Sequence, residues 1–178
     1  PGARQNALWP SFSAYYTVTV TDRLTLELIL TNTAPGQNLT LENCLHTYFT
    51  VGDISAVSVH GLKGVNYLDK VDGFAPKTEC NDGIRVSSEV DRVYVNTPPA
   101  AEIRDPSLGR KILVEKSGGA ATVVWNPWIA KSQQLSDFGN EEYLRMICVE
   151  SGNVAPHKLT LAPGQTTVLR VELSSTRL

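Results

Sequence analysis

Apolar and polar residues alternate with a period of two along almost the whole of this 178-residue chain, the pattern of strands that bury one face. Residues 14–20 (AYYTVTV) and 24–32 (LTLELILTN) alternate cleanly on either side of Thr21-Asp22-Arg23, which predicts a β-hairpin. The turn signal Ala34-Pro35-Gly36-Gln37 leads into a third strand over 38–46. Further strands are expected at 56–60, 89–95, 101–105, 111–115, 121–125, 144–149, 158–161 and 166–173. Pro98-Pro99, Asp105-Pro106-Ser107-Leu108-Gly109, Ser117-Gly118-Gly119 and Ala162-Pro163-Gly164 break the pattern at the spacing of sandwiches and barrels. Only residues 136–143 could hold a helical turn, and no strand–helix–strand alternation exists to support a parallel sheet. The expected fold class is therefore all-β, an antiparallel β-sandwich. Residues 1–13 have no period and read as an entry segment or chain boundary, leaving 14–178 as one sandwich domain. Two stretches resist a strand reading, 63–83 and 126–139, and long loops on such a scaffold are where sites are usually built.

Composition narrows the partners. The net charge is −2 and Lys and Arg are scattered, so the basic stripe of a nucleic-acid binder is lacking. No apolar run approaches the roughly 20 residues of a membrane-spanning helix, and no charged-then-apolar signal segment opens the sequence. Cys44, Cys80 and Cys148 are odd in number and lack CxxC spacing, which argues against a disulfide framework or a zinc ribbon. Cys44 and Cys148 sit in apolar contexts, where a free cysteine acts as a small hydrophobe. A cytoplasmic, monomeric protein is expected. Asn38-Leu39-Thr40 matches the glycosylation sequon, a short pattern that carries little weight in that compartment.

A few residues stand out for chemistry, each with a structural alternative. His46 ends an apolar strand before Thr47-Tyr48-Phe49; it is either a general acid or base in a pocket wall or an edge histidine bonded to the backbone. Glu150 closes the apolar run 146–149 before Ser151-Gly152, as a desolvated base or an ordinary strand-end carboxylate. Asp91 shares a strand face with Glu89 and Val93, opposite Val90. Asp is uncommon mid-strand, so it either binds a ligand hydroxyl or pairs across the sheet with a basic residue. Trp125 and Trp128 flank Asn126-Pro127 and suit a carbohydrate face or a sandwich edge. His60 and His157 read as solvated or structural. No metal-binding spacing, Walker loop, GxGxxG or GxSxG is found, and no metal or cofactor is expected.

Four stretches, taken in order, resemble one family: LHTYFTVGDI (45–54), EVDRVY (89–94), VVWNPW (123–128) and MICVES (146–151). Their order and spacing are similar to the glucose-6-phosphate 1-epimerase (hexose-6-phosphate mutarotase) branch of the aldose 1-epimerase superfamily, over residues 14–173. The resemblance implies a β-supersandwich and interconversion of the α and β anomers of a hexose 6-phosphate. It further implies His46 as general acid, Glu150 as general base and Asp91 as a binder of sugar hydroxyls. Full-length members of that family extend further N-terminal to Ala14, with residues that contact sugar and phosphate. Those strands are expected to be missing here, and Arg4 and Lys131 are the nearest basic candidates, neither assigned a role. Two other readings stay open: a non-catalytic carbohydrate-binding domain, and an epimerase of unphosphorylated sugars.

Overall fold

A computed structural model describes residues 10–178; Arg4 and most of the expected entry segment lie outside them. In chain order the strands are β1 (Phe12–Val20), β2 (Leu24–Asn32), β3 (Leu39–Leu41), β4 (Asn43–Leu45), β5 (Tyr48–Thr50), β6 (Ser58–His60), β7 (Asn66–Asp69) and β8 (Ala75–Thr78). They continue as β9 (Gly83–Ile84), β10 (Val90–Val95), β11 (Ala100–Asp105), β12 (Arg110–Ser117), β13 (Ala121–Asn126), β14 (Met146–Asn153), β15 (Leu159–Leu161) and β16 (Thr166–Arg177). The one α-helix among the described residues is α1 (Trp128–Ser132), far too short to cross a membrane.

Every strand pair is antiparallel, as the alternation predicts. The first sheet runs β1-β2-β16-β12-β11-β6-β9; the second runs β4-β14-β13-β10-β7-β8, with β5 also against β14; β15 and β3 form a small third sheet. The 14–20/24–32 hairpin is present, with β1 starting slightly earlier at Phe12. Between the sheets, Phe49, Val90, Val124, Ile147 and Val149 meet Val59, Ile103, Ile112, Leu169 and Val171 in one buried core.

Several expectations are corrected. The third strand splits at Glu42, because β3 pairs with β15 while β4 pairs with β14; His46 lies just beyond β4. The stretch 63–83 is not strandless: it holds the β7–β8 hairpin and the start of β9. Of the helical turn expected at 136–143 only the end is helical, in the 3₁₀ turn Glu142–Arg145; the α-helix forms earlier, at α1. A buried clamp explains that shape. The Asn126 side-chain amide donates to the carbonyls of Tyr143 and Met146, and its oxygen accepts from Trp128 N–H.

β14 also differs from the expected 144–149. It runs on through Glu150-Ser151-Gly152 to Asn153, held between β13 and β4. Glu150 is therefore mid-strand rather than at a strand end. Gly152 is not a turn residue: a Cβ there would collide with the Asn43 carbonyl oxygen, so glycine lets β4 approach.

Candidate active site

The site is built where the edge of the second sheet breaks. Leu45 pairs with Ser151 and Tyr48 pairs with Cys148, so the register is kept across the gap and His46-Thr47 falls opposite Val149-Glu150. Thr47 N–H donates back to the Leu45 carbonyl at 3.1 Å, a tight bend in place of ladder bonds to β14. The bend carries the His46 ring over β14, with Nε2 3.1 Å from Glu150 Oε1. The ring stacks on Tyr48 (centroids 5.0 Å apart) and meets the edge of Trp125 (5.8 Å). Its side chain is 47% exposed, whereas that of Glu150 is 7% exposed.

Register extends the constellation across the sheet. Glu150 lies beside Val123 of β13, which lies beside Val93 of β10; one step along, Cys148, Trp125 and Asp91 form the next row. All point to the outer face, away from the sandwich core. Asp91 and Val93 share this face, as the alternation predicts. Asp91 is 8% exposed, and Lys70 Nζ sits 2.8 Å from its Oδ2. Its Oδ1 is buried without a hydrogen-bond partner. Together Cys44, His46, Lys70, Asp91, Trp125 and Glu150 line a cleft of about 590 Å³, within the range of small-molecule sites.

Burial pushes the Glu150 carboxyl up to about 7, and the negative charge of Asp91 adds to this; the Cys44 hydrogen bond and Lys70 oppose it. Burial also moves His46 below its ordinary range, with Lys70 acting the same way and its own backbone hydrogen bond and Asp91 acting against. Near neutral pH the two groups are thus arranged to share one proton across a 3.1 Å contact, and their titration belongs to the pair.

Sequence reasoning brought His46, Glu150 and Asp91 forward, and one cleft holds all three. It missed Cys44 and Lys70. Cys44 Sγ–H donates to Glu150 Oε2 at 3.3 Å. Burial and the adjacent carboxylate push its thiol up, so it is a protonated donor rather than a nucleophile. Cys44 and His46 are two residues apart and face the same way, a signal the alternation contained. Cys148 is fully buried, the small hydrophobe expected. Trp125 lines the cleft, but Trp128 packs on the core and against Tyr143. His60 contacts Ser58 and Asp82, and His157 accepts from Asn96 N–H; neither lines the cleft.

Donor atoms of His46, Cys148 and Glu150 lie within 4.8 Å of one another, the one such grouping among the described residues. Burial and Glu150 push the Cys148 thiol up, so in the metal-free protein it stays protonated.

Comparison with known proteins gives the family. The family model for aldose 1-epimerase matches residues 4–174. A protein of Cenchrus ciliaris named "Putative glucose-6-phosphate 1-epimerase" is 40% identical over 152 residues, covering 85% of this chain and 46% of its own length. One of the same name from Escherichia coli strain K12 is 40% identical over 110 residues, 61% of this chain and 37% of its own. A Salmonella typhimurium crystal structure described as "a putative mutarotase" superposes with a TM-score of 0.88 at 26% identity, over 100% of this chain and 58% of its own. The chain thus spans less than half the length of the two named relatives. By its fold and by a family-model match over nearly its whole length, the chain belongs to the aldose 1-epimerase family.

Proposed function

We propose that the protein interconverts the α and β anomers of a hexose 6-phosphate by acid/base ring opening and reclosure. The observation that carries this reading is the 3.1 Å contact between His46 and the buried Glu150 at the floor of the cleft. Two proton-transfer groups around one anomeric centre are what mutarotation requires. With Glu150 ionised and His46 protonated, the carboxylate takes the C1 hydroxyl proton while the imidazolium gives its proton to the ring oxygen. The bond from C1 to the ring oxygen breaks and C1 becomes a carbonyl. The aldehyde turns about the C1–C2 bond. On closure His46 takes back the proton of the C5 hydroxyl as its oxygen attacks the other face of C1, and Glu150 returns its proton to O1. Protons balance over the cycle, and each positioned transfer contributes roughly 10²- to 10⁴-fold.

Asp91 Oδ1, buried and unpaired, is the acceptor for a sugar hydroxyl. The names of the relatives support the phosphorylated substrate, and Lys70 and Lys131 supply positive charge along the cleft. A reducing, cytoplasmic setting fits three free cysteines, one of which must stay protonated to serve Glu150. The test is magnetisation exchange between the anomers of glucose 6-phosphate with and without the intact protein. Acceleration is expected; exchange no faster than in buffer would sink the proposal.

A further inference from the structure

We propose that Lys70 is a positioning residue of this site, whose ammonium group fixes one carboxylate oxygen of Asp91 so that the other stays free for a sugar hydroxyl. The inference rests on the isomerase reading above. It starts from the turn between β7 and β8, a region whose sequence shows no period. Asp69 caps this turn: its Oδ1 accepts Val71 N–H at 3.2 Å and its main-chain carbonyl accepts Phe74 N–H at 2.8 Å. Gly73 and Phe74 both take left-handed backbone (φ 58° and 63°), which reverses the chain within the turn.

Charges in the turn are sorted. Lys77 Nζ lies 2.8 Å from both Asp69 and Asp72 and occupies those two acids. Lys70 is left facing Asp91 at 2.8 Å, on the neighbouring strand β10. A buried carboxylate without a counter-charge is costly, and Lys70 is the counter-charge that faces Asp91 in the cleft wall. One Lys70 donor suffices for Oδ2, and Oδ1 is left open.

The pair also acts on the proton couple with opposed signs. The Lys70 charge lowers both Glu150 and His46, and the Asp91 charge raises both. The other titratable groups in contact with the couple or lining the cleft are Cys44, Cys148, Tyr48, Glu42 and Lys131, all untouched by the variants below.

The experiment measures kcat, KM and the pH profile of anomer exchange for the intact protein and for Lys70→Met, Lys70→Arg, Asp91→Asn and the Lys70→Met/Asp91→Asn double variant. Lys70→Met is expected to lose about tenfold or more in kcat/KM, the worth of a charged hydrogen bond. Its pH profile moves to the alkaline side, that of Asp91→Asn to the acid side, and that of the double variant back toward wild type. Lys70→Arg restores most of the rate. Lys70 is half exposed, so these variants are expected to fold. Wild-type kcat/KM and pH profile in Lys70→Met, or profiles of Lys70→Met and Asp91→Asn that move the same way, would overturn this proposal alone. Absence of exchange with the wild-type protein would overturn the isomerase reading and this one with it.

Discussion

The two faces of β14 differ more than any two elements of the fold. Ile147 and Val149 point inward and are buried against the first sheet; Cys148 and Glu150 point outward and are buried beneath the cleft. Both faces exclude water, but only one is apolar. Burying each large aliphatic contributes about 1.5–3 kcal/mol, whereas a dry carboxylate costs stability. The inner face thus offsets what the outer face spends, and fold and chemistry alternate one residue apart. Mutation should therefore separate them cleanly.

The largest effects belong to the outer face and to rate. Glu150→Gln and His46→Gln are each expected to lower anomer exchange by about 10² to 10⁴-fold. Thermal unfolding should show Glu150→Gln at least as stable as wild type, since it removes a buried charge. On the inner face, Ile147→Ala should cost about 2–5 kcal/mol by denaturant titration. The exchange rate per folded molecule should stay close to wild type. If Ile147→Ala lost the rate while keeping stability, the separation of faces would be wrong.

A smaller effect sharpens the same contrast through pH. Glu150 is raised in the folded state to about 7 from an ordinary 4.5, so between those values the native state binds the extra proton. The Glu150 contribution is full below about 4.5 and is lost as pH rises through about 7, while the lowered His46 acts in the opposite sense at the acid end of the window. Catalysis runs the other way. On the proposed mechanism the couple must hold one proton, so kcat/KM should rise as the second proton leaves below about 7 and fall at higher pH as the couple loses its last proton. Opposite slopes of unfolding free energy and of kcat/KM over this window are the expected result, and Glu150→Gln should flatten the first.

What the sequence made legible follows from this alternation. The β1–β2 hairpin, the strands around Asp91 and Trp125, and the shared side of Asp91 and Val93 all follow from a period of two. The ordered motifs singled out His46, Asp91 and Glu150, which a cleft then brings together. Other parts were not legible, for physical reasons. Ser151-Gly152 looks like a turn, yet Gly152 is there because the Asn43 carbonyl leaves no room for a Cβ. The β7–β8 hairpin lies at the sheet edge, where weak burial imposes no apolar period, so Lys70 passed as loop. Cys44 looked like a small hydrophobe because its hydrogen bond to Glu150 spans 106 residues of sequence.

Cys44 gives the finest test of how the outer face is tuned. Its thiol donates to Glu150 Oε2 and so favours the ionised base, opposing the burial that favours the neutral acid. Cys44→Val removes the donor and adds one methyl, so the acid limb of the kcat/KM profile should move to higher pH. Cys44→Ser keeps a donor and should leave that limb nearly where it is. The maximal rate should change by less than about tenfold in either, because no proton in the cycle passes through sulfur. Coincident profiles for wild type and Cys44→Val would mean that burial and the Asp91 and Lys70 charges set the carboxylate without help from β4, and that the broken edge serves only to deliver His46.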